Sequence, residues 1–91
     1  MPVTFEYSDT FDKTYGKAPD NVKEQVQECL KKIIRGDVGS LRMHRLNNYK
    51  PPVFKFDVFP NKSWQVAYHR EGDNYKLLRL GTHKYMDKTF P

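Results

Sequence analysis

The stretch VFKFDVFPNKSWQVAYHREGDNYKLLRL, residues 53–80, decides the fold. From Val53 to Phe59 large apolar side chains alternate with polar ones. Phe54, Phe56 and Val58 fall on one face, and Lys55 and Asp57 on the other. Pro60-Asn61-Lys62 reads as a turn. The alternation resumes from Ser63 to His69, with Trp64, Val66 and Tyr68 sharing a face. Glu71-Gly72-Asp73 is a second turn, and Tyr75 to Leu80 a third strand. Turns this short between consecutive strands predict an antiparallel meander.

Upstream, Val3, Phe5 and Tyr7 alternate with polar neighbours and predict a strand over residues 2–7. Ser8 or Asp9 can cap a short helix with Phe11 and Tyr15 on its buried face and Gly16 at its end. A longer helix follows, with Pro19 in its first turn. Val22, Val26, Cys29, Leu30, Ile33 and Ile34 recur at helical spacing as its apolar stripe. Lys31, Lys32 and Arg35 complement its negative C-terminal end, and Gly36 is its natural stop. Residues 36–40 read as a loop, Leu41 to Leu46 as a short strand, and Tyr49-Lys50-Pro51-Pro52 as another loop. After the meander, Gly81-Thr82 can cap a short helix over residues 83–90. The expected architecture is α+β: an N-terminal strand, two helices, a three- to four-stranded antiparallel meander and a short C-terminal helix.

The 91 residues fit one domain, 1–91. Six Phe, six Tyr and one Trp let a few large rings supply much of a thin core. Sixteen Lys and Arg against eleven Asp and Glu leave a net charge of +5, which favours polyanionic partners without choosing among them. A single cysteine, Cys29, excludes an intrachain disulfide and reads as a small core hydrophobe. No apolar run approaches the roughly 20 residues of a membrane span, and no signal peptide is visible, so a cytoplasmic setting is expected. His44, His69 and His83 form no close pair such as i, i+4, so no metal is expected. His69, at a turn beside Arg70-Glu71, is expected to face solvent.

Three short motifs carry a resemblance. His44-Arg45-Leu46-Asn47 is similar to the turn that precedes the meander in the RelE/ParE toxin superfamily. Trp64-Gln65-Val66-Ala67-Tyr68 resembles that superfamily's central strand. Leu78-Arg79-Leu80-Gly81-Thr82-His83 resembles the last strand of its YafQ-like branch. Residues 1–40 match only in pattern. The resemblance implies the toxin of a type II toxin–antitoxin pair, a ribosome-dependent mRNA endonuclease that blocks translation and is held inactive by a cognate antitoxin.

In such enzymes the nucleophile is the RNA's own 2′-hydroxyl. The protein must move its proton, stabilise charge on the phosphate and protonate the leaving oxygen. Histidine suits the proton transfers, and Lys or Arg the charge. No cofactor is needed. The resemblance makes His83 the first candidate for proton transfer and His44 the second; on spacing alone His83 is an ordinary residue at a helix start. Lys55 matches a strand lysine of RelE-type members. Asp57 stands where the YafQ-like branch has a histidine, and Ser63 where it has an aspartate. Gln65 stands where RelE-type members have an arginine. Lys55 and Asp57 complete the catalytic candidates, and Lys62, Arg79, Arg45, Lys76, Gln65 and Tyr85 are expected against RNA. Tyr85 and Phe90 can stack on a base or pack the tail onto the sheet, and Trp64 reads as a core anchor. Two other readings stand beside this one: a ParE-like DNA gyrase inhibitor without cleavage, and an inactive relative that only binds an antitoxin.

Overall fold

The alternating strands of residues 53–80 need an apolar cover on one side, and the amphipathic helices upstream supply it. In the computed structural model, which describes residues 2–46 and 49–90, the order is β1 (Thr4–Tyr7), α1 (Asp9–Lys17), α2 (Asp20–Arg35), a 3₁₀ turn (Gly39–Leu41), β2 (His44–Leu46), β3 (Val53–Asp57), β4 (Trp64–Glu71), β5 (Asn74–Thr82) and α3 (His83–Thr89). Asn47, the last residue of the motif beginning at His44, lies outside the described residues. The five strands form one sheet in the order β1-β5-β4-β3-β2. The meander is antiparallel as expected, but β1 joins β5 in parallel, so the sheet is mixed. That pairing is what a helical crossover of this length permits between a first and a last strand.

Ser8, of the two candidate caps, starts α1: its hydroxyl accepts from the Phe11 N–H at 3.0 Å and donates to the Leu78 carbonyl at 2.7 Å. Helix α1 runs through Gly16 and stops after Lys17, because Ala18 turns extended before Pro19. Pro19 is itself the residue that precedes α2, and Gly36 ends that helix in the left-handed region at φ 78°. Val22, Val26, Cys29, Leu30 and Ile33 bury against Phe56, Val66, Tyr68, Leu77 and Leu80 of the sheet. Ile34, expected in the stripe, is 59% exposed, and Tyr7 is 49% exposed, since each lies at the margin of its buried face.

In β5 the register shifts: Ala67 faces Arg79 while Tyr68 faces Leu77, which leaves Leu78 as an extra residue. Tyr75, Leu77 and Leu80 therefore all reach the helix side, and Leu78 turns to the other side. The Thr14 hydroxyl accepts from the Leu80 N–H at 3.0 Å just beyond the shift. The second face is not left bare. Val53, Ala67 and Met86 form a smaller core there, joined by Leu46, Tyr49, Leu78, Tyr85 and Phe90. Helix α3 covers one end of that face and leaves the other open.

Two consequences are measurable. Leu30→Ala is expected to lower unfolding free energy by about 2–5 kcal/mol in urea titration, while Ile34→Ala changes it by less than about 0.5 kcal/mol. Burial pushes the Cys29 thiol from its ordinary value near 9.0 up to about 11. The folded state thus holds the thiol proton more tightly than the unfolded chain does. Its contribution to stability is complete below pH 9 and is lost as pH rises through 11. Cys29→Ala is expected to flatten that part of the stability–pH curve.

Candidate active site

At the open end of the second face, β2, β3 and β4 present their polar side chains to the start of α3. Cross-strand pairing sets the positions: His44 lies opposite Lys55, and Asp57 opposite Gln65. The Ser63 carbonyl accepts from the His83 N–H at 3.1 Å, which ties the β3–β4 turn to the first residue of α3. The result is a cleft of about 240 Å³ lined by Arg42, His44, Lys55, Asp57, Lys62, Gln65 and His83.

Its floor is polar yet buried. Lys55 is 6% exposed, and Asp57 and Gln65 are 3% exposed. The amide nitrogen of Gln65 donates to Asp57 Oδ1 at 2.9 Å. The other end of the amide, Gln65 Oε1, is buried without a hydrogen-bond partner among the described residues. Leaving such a group unsatisfied costs on the order of 1–3 kcal/mol. Among the described residues the only contacts between basic and acidic side chains within 4 Å are Lys31–Glu28 and His83–Asp87. Three cations in the cleft, Arg42, Lys55 and Lys62, are therefore opposed by one carboxylate that touches none of them. The cleft is electropositive and suited to a phosphate.

Both imidazoles at the cleft are held through Nδ1. His44 Nδ1 lies 3.1 Å from the Arg42 carbonyl. His83 Nδ1 lies 3.3 Å from Asp87 Oδ2, one helical turn along α3. Among the described residues, Arg42 and Lys62 are the only non-glycine residues with positive φ, at 52° and 64°. Both line the cleft, where left-handed backbone is a strain that L side chains rarely accept.

Six residues singled out in the sequence thus meet at one place: His83, His44, Asp57, Lys55, Lys62 and Gln65. Four do not. Arg45 alternates away from His44 and is exposed on the short strand β2. Lys76 lines a different cavity with Glu6, Pro52 and His69. Arg79 donates to the Tyr85 hydroxyl at 2.8 Å, so that pair is bound to itself. The Tyr85 ring packs in the smaller core, and Phe90 meets Tyr49 edge-on there. His69 is half-buried, its Nδ1 2.8 Å from the Pro52 carbonyl, and not a free surface residue. Trp64 packs partly against the main core. Sequence reasoning missed Arg42, whose backbone turn leaves no local mark, and Asp87, which the i, i+4 spacing from His83 in a helix could have revealed.

No protein-family model matches this sequence, and no curated protein does. Solved structures do. A chain of the E. coli DinJ–YafQ toxin–antitoxin complex matches with a TM-score of 0.74 at 18% identity, over 94% of this chain and 98% of that one. A chain of the RelB–RelE antitoxin–toxin complex from Methanococcus jannaschii gives 0.74 at 15% identity, over 94% and 99%. The YoeB dimer from Staphylococcus aureus gives 0.71 at 14% identity, over 91% and 99%. The chain has the RelE-like toxin fold, and YafQ is among the toxins whose fold it shares.

The glycine of the last-strand motif has a packing reason. Gly81 lies directly beneath the Tyr85 ring, where a Cβ would collide. Gly81→Ala is expected to lower stability by about 1–3 kcal/mol, measured by denaturant unfolding, because the ring and α3 must shift.

Proposed function

We propose that this protein is the toxin of a type II toxin–antitoxin pair and acts as a ribosome-dependent endoribonuclease on mRNA in the cytoplasm. The observation that carries the reading is the cleft itself: two imidazoles and three cations converge on one electropositive hollow over a buried polar floor. Such a set matches what cleavage by a ribose hydroxyl requires. One imidazole takes the 2′-hydroxyl proton as oxygen attacks the adjacent phosphorus. The other protonates the departing 5′-oxygen as its bond to phosphorus breaks. Lys55 and Lys62 meet the charge that gathers on the phosphate oxygens, and Arg42 adds to that field. Asp57 holds Gln65 in place. These steps use no metal and no cofactor.

A cognate antitoxin is the natural partner. The fold neighbours from E. coli and M. jannaschii were solved with antitoxins, and a chain of net charge +5 suits an acidic covering segment. A gyrase inhibitor of ParE type has no use for paired imidazoles, so His44 and His83 in one cleft favour the nuclease.

His83→Ala is expected to abolish mRNA cleavage and growth inhibition while the unfolding curve stays that of the parent. Cells expressing the parent should lose translation with DNA supercoiling unchanged. Altered supercoiling with intact mRNA would point to the gyrase reading, and silence in both assays to an inactive relative that binds only an antitoxin.

A further inference from the structure

We infer that Arg42 is a positioning residue that fixes the tautomer of His44 through its own backbone carbonyl, and that His44 is thereby the group that takes the 2′-hydroxyl proton. The catalytic half of this inference rests on the nuclease reading above; the tautomer half does not. A carbonyl oxygen can only accept, so His44 Nδ1, 3.1 Å from it, must carry the hydrogen. Neutral imidazole has one N–H, which leaves Nε2 as a lone pair able to receive a proton.

The carbonyl reaches that place because Arg42 adopts φ 52° and ψ 50° at the end of the Gly39–Leu41 turn. Glycine or asparagine would accept this conformation more readily. An arginine here keeps an unfavourable backbone at a position that lines the cleft. Arg42 thus joins two tasks in one residue: its backbone orients His44, and its side chain faces the phosphate. His83, held at its own Nδ1 by Asp87, is left as the acid for the 5′-oxygen. Lys55, opposite His44 in the sheet, and Asp57, Lys62 and His83 across the cleft are the other charged or titratable groups around it. As the O2′–P bond forms, His44 Nε2 gains the hydroxyl proton. As the P–O5′ bond breaks, protonated His83 gives one up, so charge and protons balance.

The two tasks separate by substitution. In Arg42→Gly and Arg42→Asn the left-handed turn and its carbonyl persist while the guanidinium is gone. In Arg42→Val the β-branched side chain opposes the turn itself. Ring ¹⁵N spectra of histidine-labelled protein read the tautomer, and cleavage of ribosome-bound mRNA reads kcat and KM. Parent, Arg42→Gly and Arg42→Asn should all show His44 with hydrogen on Nδ1. Both substitutions should lower kcat/KM several-fold, because the guanidinium is lost, while the tautomer stays that of the parent. Arg42→Val should move the hydrogen to Nε2 and lower kcat by about tenfold or more. A parent protein with hydrogen on Nε2 of His44, or Arg42→Val with unchanged ring shifts, overturns the inference. The predicted tautomers in a protein that cleaves no mRNA would uphold the positioning by Arg42 and remove the nuclease reading instead.

Discussion

Phe56 sits opposite Val66, and Val66 opposite Leu80, across three antiparallel strands. Everything at the cleft depends on that apolar register. Side chains alternate with period two, so the pairing that sends these residues beneath α2 sends Lys55, Asp57 and Gln65 to the opposite side. A slip of one residue would place three polar groups in the main core and three large apolar ones in the cleft. The helices therefore act on the site from behind, by making one register far better than its neighbours.

The opposite side carries the energetic burden. A lysine, an aspartate and a glutamine, each at most 6% exposed, give up hydration with one hydrogen bond among them shown by the side chains, Gln65 to Asp57. An apolar replacement of the same volume would suit stability better. Two left-handed residues at the rim, Arg42 and Lys62, add backbone strain to that cost. Desolvated charge and strained backbone at one place, supported by well-packed cores on both faces, is how a fold holds reactive groups ready. The smaller core of Val53, Ala67 and Met86 closes one end of this face, and α3 brings His83 to the other.

Period-two alternation made β3 and β4 readable from the sequence, and 3.6-residue periodicity did the same for α2. What escaped reading was set by contacts distant in the chain. The parallel pairing of β1 with β5 has no local signature. Nor does the shift at Leu78, which shows only as the pair Leu77-Leu78 and is held by Ser8 and Thr14 from α1. Among the residue types suited to the chemistry, His44 and His83 stood out by their short motifs and Lys55 by the strand lysine that the resemblance implied, and the sheet brings them together. Arg79 and Tyr85 carried the same surface appeal but bond to each other. Arg42 was hidden because a positive φ belongs to the turn and not to the residue type.

The proposed function requires the cleft to direct a ribose hydroxyl onto its neighbouring phosphate. The most direct measurement is the chemistry of the cut ends when purified protein meets mRNA on translating ribosomes. The sample is challenged with a chelator, and separately with a 2′-deoxy nucleotide at the cleaved position. The expected result is cutting that withstands the chelator, leaves a 2′,3′-cyclic phosphate and disappears with the 2′-deoxy substitution. Cutting that persists without the 2′-hydroxyl would contradict it.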